Sequence, residues 1–398
     1  MRLKLNSGHL FGVLVVVILS LTAPATGQVL RDINYSYLYN PVDNYKLNWR
    51  IFNLNNEITL YFEIESVDFN TSNDAYTIEW EVRKDISEKS GTPLPAAQII
   101  QSSVQIRSGF VRINSSLAGQ VAVAKVYGSM TEKQKSLTLY YKVIPLVSTP
   151  AIYQSEFPVL RNYIRQNSAV IMKGFEGKPL VISHYGTDFP AAAPPFSTAQ
   201  ARVQPLLKPD TLYQVNSADP VNFKHKGLSL VQTDTASSSG LAFRVEDDYP
   251  KLATIETLAG PMIYLCTKQE HDKLKAAGSD KTQFDKVILS ITGSADRART
   301  FMRNYFRRVE QANTYFSSYK EGWKTDRGMT FIICGPPQEV YLVGDREVWE
   351  YKNAYYTGRF TFVKSSTIFD PDNYVLIRDK AYADTWYQMI DLWRKARF

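Results

Sequence analysis

The chain has 398 residues, of which 44% are hydrophobic and 21% are charged, a composition typical of folded domains and not of a disordered chain. Its net charge of +7 is modest and no run of five like charges occurs, so the sequence does not indicate a nucleic-acid-binding protein. Aromatic residues make up 13%, which favours sheet-rich domains, because flat rings pack well on pleated surfaces.

The first 27 residues are typical of a secretory signal peptide. Arg2 and Lys4 precede an apolar run from Leu10 to Leu21, and small residues follow up to Gly27. That run is shorter than the roughly 20 residues that a membrane-spanning helix needs, so a transmembrane anchor is the weaker interpretation. We expect cleavage before Gln28 and a mature protein without a membrane-spanning segment, because no later stretch is sufficiently apolar.

Residues 28–150 are predicted to form an immunoglobulin-like β-sandwich. Short runs in which apolar and polar residues alternate, among them EITLYFEIESV and YTIEWEVRKDI, follow one another from Ile33 to about Ile144. Their period of two is that of half-buried strands, and about seven such runs fit one sandwich. The Cys-Trp-Cys core of antibody domains is absent from the sequence.

Residues 151–254 are predicted to form a second, smaller β-domain. Runs such as KPLVISHYG and LAFRVED have the character of strands. The segment DFPAAAPPFS interrupts them with three prolines, which neither helices nor central strands accept. We expect a long exposed loop from Asp188 to Ser197; a linker between helices is the alternative.

Residues 255–398 are predicted to form an α+β domain with a long helix, an antiparallel meander and a closing helix. Thr267 and Glu270 form a capping-box pattern, which predicts a helix to about Ala277. Ser294 offers the N-cap of the long helix, and Gly322 follows it as a terminator. Five strand-like runs come next, beginning with MTFIICG, and the sequence YADTWYQMIDLWRKARF closes the domain. The long helix carries an apolar stripe at three- and four-residue steps, which consists of Ala298, Phe301, Met302, Tyr305, Val309, Ala312 and Phe316.

Arg299, Arg303 and Arg307 repeat every four residues off that apolar stripe. Such a row can bind phosphate or an acidic protein surface, but arginines on the outer face of a packed helix more often face water. The excess of basic over acidic residues lies in the C-terminal third, where an anionic partner and a solvated face are again the two alternatives.

The sequence contains no motif for a metal or a cofactor. His184, His225 and His271 are far apart and lack the spacing of zinc ligands, and no phosphate- or dinucleotide-binding glycine loop is present. We therefore expect no cofactor, and we interpret these three histidines of the mature chain as ordinary surface or turn residues. Cys266 and Cys334 either form one disulfide or lie apart as two buried thiols, because spacing alone does not determine their geometry.

The stretch EGWKTDRGMTFIICGPPQEV has two interpretations. As a site, Asp326 beside Arg327 can act as a catalytic acid whose pKa the arginine lowers. As a structural joint, the carboxylate accepts backbone amides in a turn, the arginine binds carbonyls or a carboxylate, and Trp323 packs helix against sheet. No histidine or metal motif accompanies Asp326, so the joint is favoured.

The joint also assigns roles to the glycines of this stretch. Gly322 and Gly328 would supply positive φ angles, and residues 335–337 would reverse the chain between two strands.

These residues resemble the GWxTD-domain family of exported bacterial proteins, which is named for this run. The helix sequence FMRNYFRRVEQANTYF also resembles the arginine-rich helix that precedes the motif, and the likeness covers about residues 255–398. Many relatives carry a Phe-Trp pair where this chain has DKVILSITGSAD, so the packing there should differ. The family implies export to the envelope of Gram-negative bacteria and provides no known catalytic residues. The resemblance rests on Gly322, Trp323, Thr325, Asp326, Arg327, Gly328, Gly335, Pro337, Trp349 and Tyr351.

We therefore expect a non-enzymatic periplasmic protein, associated with the outer membrane through partners, that serves as an interaction or scaffold component of an outer-membrane or secretion-related assembly. Its expected partners are envelope proteins. The alternative is a periplasmic hydrolase or carbohydrate-binding protein with a cleft around Trp323, Asp326, Arg327, Trp349 and Tyr351, in which aromatic rings beside a carboxylate hold a sugar or a peptide.

Overall fold

A computed structural model of the protein describes residues 33–40, 45–54, 57–66, 76–103, 105–131, 134–175, 177–198, 207–238, 240–353 and 356–398. The predicted signal peptide, residues 1–27, lies outside the described residues. None of the helices in these ranges has the length and apolar character needed to cross a membrane.

The first domain is a sandwich of two four-stranded antiparallel sheets, with strand orders β1-β2-β6-β5 and β4-β3-β7-β8. With strands lettered in chain order and β4 as C′, these are the A-B-E-D and C′-C-F-G sheets of an immunoglobulin-like domain, which confirms the prediction. Trp80 on strand C packs against Trp49 and Phe62, with ring centroids 5.5 and 5.1 Å away. The strands are β1 Tyr45–Leu54, β2 Glu57–Ser66, β3 Tyr76–Arg83, β4 Thr92–Pro93, β5 Gln98–Ser102, β6 Ile106–Ile113, β7 Val121–Thr131 and β8 Gln134–Val143.

The second domain also has two sheets, with strand orders β10-β9-β12-β15 and β11-β17-β16-β13-β14. Its core contains the edge-to-face pair Phe223 and Phe243. Strand β11 pairs with β17 in parallel, whereas the other described pairs are antiparallel. The strands are β9 Ala151–Gln154, β10 Phe157–Pro158, β11 Tyr163–Arg165, β12 Ala169–Lys173, β13 Pro179–Tyr185, β14 Thr211–Asn216, β15 Val221–Asn222, β16 Gly227–Gln232 and β17 Leu241–Glu246.

The C-terminal domain packs helices against one antiparallel sheet of order β18-β19-β20-β21. The predicted long helix, meander and closing helix are confirmed, and Thr267, Glu270 and Ser294 cap the helices that they were predicted to cap. The helices are α1 Ile255–Ala259, α2 Lys268–Ala276, α3 Lys281–Thr292, α4 Ala295–Phe316, α5 Asp326–Cys334 and α6 Ala383–Arg394, and the strands are β18 Glu339–Val343, β19 Arg346–Lys352, β20 Thr357–Lys364 and β21 Tyr374–Leu376.

The run MTFIICG was predicted as a strand, and this prediction is wrong, because these residues form most of α5. Of the helix residues 326–334, all except Arg327 are buried. The run MTFIICG is short and carries no charged residue, and periodicity alone does not distinguish a buried strand from a buried helix in such a run.

The segment of residues 33–40 belongs to the core of the C-terminal domain, although it precedes the first domain in sequence. Tyr35 and Tyr39 are buried among the residues of that core. The amide of Tyr35 donates to the carbonyl of Val340 at 2.8 Å, and the amide of Val340 donates to Asn34 Oδ1 at 3.0 Å. The segment therefore covers the open edge of β18, which would otherwise present unpaired amides and carbonyls.

Candidate functional site

The GWKTDRG run connects α4 to α5, and its two glycines permit close approach of backbone segments. A Cβ atom on Gly322 would lie 2.1 Å from the carbonyl oxygen of Ala312, and one on Gly328 would lie 1.9 Å from the carbonyl oxygen of Gly322. The prediction that both have positive φ angles is wrong, because neither is among the residues with positive φ. Only glycine fits at these positions, since no side chain can occupy the space of a backbone carbonyl.

Trp323 is buried between helices and not, as predicted, between helix and sheet. Its amide donates to Asn313 Oδ1 at 3.0 Å, and its carbonyl accepts from the Tyr264 hydroxyl at 2.9 Å. Its ring lies 3.0 Å from the position of a Cβ atom on Gly260, so a larger residue there would displace the indole. The tryptophan thereby joins α4 to the turn that follows α1.

Thr325 and Asp326 hold the start of α5. Thr325 is the N-cap: its hydroxyl accepts from the amide of Gly328 at 2.9 Å and donates to the carbonyl of Gly322 at 2.8 Å. Asp326, in the first turn, accepts from the amide of Leu376 at 2.9 Å and from Arg378 Nη2 at 2.5 Å. The carboxylate therefore ties α5 to the end of β21, across 50 residues of sequence, and not to the turn in which it lies.

Arg327 lies against the face of the sheet. Its Nη1 donates to Glu347 Oε2 at 3.2 Å, and the guanidinium stacks over the ring of Tyr374, 4.6 Å from the centroid. Glu347 is buried and also accepts from the Tyr39 hydroxyl at 2.8 Å and from Trp349 Nε1 at 2.6 Å. Burial alone would lower the pKa of Arg327, but the charge of Glu347 and neighbouring groups raises it, so the arginine stays charged.

Lys324 attaches the motif to the proline strap, the name used below for residues 187–198 between β13 and β14. The buried ammonium forms ion pairs with Asp188 of the strap and with Glu321 Oε2, at 2.9 Å from the latter. The carbonyl of Lys324 accepts from the amide of Ala192 at 2.9 Å. The neighbouring Lys320 donates to a strap carbonyl, and burial lowers its pKa to about 8.

The proline strap is not the exposed loop that the sequence predicted. Phe189 packs edge to face on Tyr319, and Phe196 packs on Tyr387 of α6, with ring centroids 5.2 Å apart in each pair. Pro195 is buried, and most of the strap is at least half-buried. Prolines lack an amide donor, so this extended segment can lie flat on another domain without leaving many donors unpaired.

Strand β17 and the residues after it add a second contact between the middle domain and the motif. Arg244 forms a buried ion pair with Glu246 and donates to the carbonyl of Tyr319 at 3.0 Å. The hydroxyl of Tyr249 accepts from the amide of Gly322 at 3.0 Å. Residues 317–327 are therefore the place where the middle domain, the proline strap and the C-terminal core meet.

The remaining family residues are also structural. Gly335 has a φ of +88° and ends α5, and a Cβ atom there would lie 2.7 Å from Arg308 Nη1. The Tyr351 hydroxyl donates to the carbonyl of Gly335 at 2.9 Å, and Pro337 is buried beyond it. Residues 335–337 thus connect a helix to β18, which corrects the prediction of a turn between two strands.

The cleft that the alternative function requires is not formed by its predicted residues. Trp349 and Tyr351 are 0% exposed, Trp323 is 8% exposed and Asp326 is 9% exposed. The described side chains close over one another, so a sugar or peptide has no access to the carboxylate.

The histidines and cysteines lie outside the motif. His184 and His271 are buried, which corrects the prediction of surface positions, and burial lowers the pKa of each. His225 lies beside His184 with ring centroids 5.7 Å apart. Within the described ranges no three His, Cys, Asp or Glu side chains are placed to hold a metal ion. Cys266 and Cys334 are free thiols, and burial raises the pKa of Cys266 to about 12.

The arginine row, Arg299, Arg303 and Arg307, is exposed along α4. Arg299 forms an ion pair with Asp296 at 3.1 Å. The row is remote from the buried motif, because the motif contacts the other side of the helix at Ala312 and Asn313.

Several of these contacts have no signal in the sequence. Glu347, Arg378 and Asn313 complete the motif, but they lie in runs that look like an ordinary strand, loop or helix. A buried carboxylate or amide can be located only after the fold brings its partner within reach, so spacing along the chain does not reveal it.

Comparison with known proteins gives one family match. Residues 227–395 match the GWxTD domain family, so the match begins at β16 and includes the middle-domain strands that lead into the motif. No curated protein matches the chain. A solved structure described as "Crystal structure of DIP-gamma IG1+IG2" is similar at 10% identity over 47% of this chain and 87% of that chain, with a TM-score of 0.15, too low to support an argument.

Proposed function

Because residues 227–395 of this chain form a GWxTD domain, we propose that the protein is an exported cell-envelope component that works without catalysis, as a scaffold or interaction subunit of an outer-membrane or secretion-related assembly. The observation that carries this proposal is the burial of the family motif at the meeting point of the domains. Residues that define the family bind other parts of the same chain and leave no side chain free for a substrate.

The contacts at the motif suit a scaffold, because they fix how the domains are arranged. Arg244 of the middle domain is buried and lies 3.5 Å from Glu321 Oε1 and 3.0 Å from the carbonyl oxygen of Tyr319, both in the segment before α5. Breaking a buried ion pair costs about 3–5 kcal/mol. The pair of Lys324 with Asp188 of the strap contributes less, because the Asp188 side chain is exposed. Domains joined by several such contacts present their outer surfaces to a partner in a constant geometry, which lowers the ordering cost of binding.

The proposed location rests on the N-terminal sequence and on the resemblance to exported Gram-negative proteins. Fractionation of the producing cells should recover the protein in the periplasm or with the outer membrane. Its N-terminal peptide should begin at Gln28. A cytoplasmic protein that retains Met1 would contradict export.

Crosslinking mass spectrometry on intact cell envelopes tests the scaffold function. We expect defined protein partners for the wild type and fewer for Asp326→Asn, because loss of the carboxylate loosens α5 from β21. The matched control is Asp384→Asn, which changes an exposed acid on α6 and should leave the partners unchanged.

Two results would contradict the scaffold function. One is a wild-type protein that is monomeric in the envelope and has no crosslinked partner. The other is an Asp326→Asn protein of unchanged stability that loses the turnover of a glycan or peptide, since that result would identify Asp326 as a catalytic group.

A further inference from the structure

The arginine row lies opposite the buried side of α4. Each arginine stands two residues from a buried aromatic or aliphatic residue, and two residues correspond to about 200° around a helix. Successive arginines are separated by a rise of about 6 Å, so the row is about 12 Å long. All three side chains are exposed, and they form a straight cationic edge that points away from the core.

The charges of the row are mostly uncompensated. Arg299 is paired with Asp296, but Arg303 and Arg307 have no ion pair among the residues that the structure describes. Thr300 and Asn304, three residues before them, are neutral, and Glu310, three residues after Arg307, forms its ion-pair contact with Lys251 instead. Like charges four residues apart destabilise a helix. This spacing therefore lowers the stability of α4 unless an anion binds to the row.

A shallow groove of about 200 Å³ continues the row between α4 and the first domain. Lys46 of β1 lines it opposite Arg307 and adds a fourth cation. Glu310 is the one acid in its lining, and its closest ion-pair contact is Lys251 at 3.9 Å. The groove is lined by Lys46, Arg307, Glu310, Gln311, Thr314 and Tyr315.

We infer that the row and this groove form a docking surface for an acidic segment of a partner protein. The inference rests on the proposed scaffold function and names the chemistry of the partner. A guanidinium group binds a carboxylate through two parallel hydrogen bonds. Each arginine of the row can form one such bidentate pair. The 6 Å step matches carboxylates four residues apart on a helix, and it is close to the two-residue step of about 6.6 Å on a strand.

The geometry favours a peptide over an anionic membrane. Basic surfaces that bind lipid headgroups carry clusters of lysines and arginines spread over a broad face. Here Arg299, Arg303 and Arg307 stand in single file along one helix, with carboxylates at both ends of the row at Asp296 and Glu310. A narrow acidic segment can follow such a line, whereas a flat anionic surface would also meet the carboxylates.

Binding of the full mature chain to poly-L-glutamate tests the chemistry. We expect Arg299→Glu, Arg303→Glu and Arg307→Glu together to weaken binding about tenfold or more, because three exposed charge pairs are lost and reversed. The matched control reverses three exposed lysines of α2 and α3, Lys273, Lys275 and Lys286, and should bind like the wild type. Equal loss in both triple variants, with melting curves unchanged, would overturn the inference in favour of a general charge effect.

Vesicles of phosphatidylglycerol serve as the second probe. We expect them to bind the row variant and the control variant equally. If the row variant loses vesicle binding while poly-L-glutamate binding is unchanged, the surface recognises phosphate headgroups and the inference is overturned.

A photo-crosslinking residue at position 303 tests the surface in cells, with position 286 as the control. We expect a protein crosslink at position 303 whose partner peptide is rich in carboxylates, and lysine substitutions in that peptide should restore binding to the row variant. Crosslinks elsewhere on the protein but none at position 303 would refute the docking surface and leave the proposed function intact. No protein crosslink at any position would refute both.

Discussion

Gly328→Ala should destabilise the C-terminal domain, although alanine is the better helix former. In an isolated helix the change would add about 1 kcal/mol of stability. In α5 the new Cβ atom would lie 1.9 Å from the carbonyl oxygen of Gly322 and 2.8 Å from its carbonyl carbon. Both atoms belong to backbone, which cannot rotate away as a side chain can.

The cost follows from the contacts that must shift. Residues 322–324 would have to move by about 1.5 Å to reach ordinary van der Waals distance. That movement strains the hydrogen bonds of Gly322 with Thr325 and Tyr249, which measure 2.8 and 3.0 Å. Overpacking costs about 1–3 kcal/mol and each lost hydrogen bond about 1 kcal/mol, so we expect a net loss of about 2–4 kcal/mol.

Urea unfolding of the full chain, followed by tryptophan fluorescence and far-ultraviolet circular dichroism, measures this change. The control is Gly278→Ala, at a glycine with φ of +53° and no atom within 4 Å of the added Cβ. Its free energy of unfolding should fall by about 1 kcal/mol, because alanine is strained in the left-handed conformation. A Gly328→Ala protein as stable as the wild type, beside a destabilised Gly278→Ala protein, would refute the close-approach explanation.

Three further predictions concern charge and redox chemistry. Glu347→Gln removes the buried partner of the half-buried Arg327 and should cost about 3 kcal/mol in urea unfolding, against less than about 1 kcal/mol for Glu350→Gln, whose basic partners are exposed. An arginine of α6 and the capping-box amide lower the pKa of Glu270 to about 2 from its usual 4.5, so its stabilising contribution is present above pH 4.5 and is lost as the pH falls toward 2. The free energy of unfolding of Glu270→Gln should therefore approach that of the wild type over this interval; a constant difference would show that the carboxylate charge is not involved. Cys266 and Cys334 should resist thiol reagents in the folded protein, and a melting temperature that falls on reduction would reveal a disulfide.

Local patterns in the sequence were sufficient for the elements whose signals are local. The period-two runs predict the strands of the first sandwich, because every second residue enters the core; in β2 these residues are Ile58, Leu60, Phe62 and Ile64. The capping residues Thr267, Glu270 and Ser294 predict the starts of two helices, because each binds amides within its own turn. Helix α3 carries local signals of the same kind, an N-cap at Asp280 and a left-handed Gly293 at its end.

The joint depends on contacts that no local pattern contains. The motif can be recognised in the sequence, but the residues that bind it cannot. Asp326 accepts a hydrogen bond from the amide of Leu376, and Arg327 donates one to Glu347. A glycine needed for close approach and a glycine needed for positive φ look the same in a sequence, so the role of Gly322 was assigned wrongly. The proline strap illustrates the same limit, because composition predicts its extended shape and not the surface on which it lies.

The pairing of Tyr35 with Val340 makes the C-terminal domain discontinuous in sequence. Its last sheet edge is closed by residues that leave the ribosome about 300 positions earlier, and such distant contacts form late and slowly. This sheet edge can therefore be closed only after β18 has been made. A fragment that begins at residue 251 would expose the edge of β18 and lack two tyrosines of its core, so expression of the isolated domain calls for residues 33–40 to be fused or supplied as a peptide.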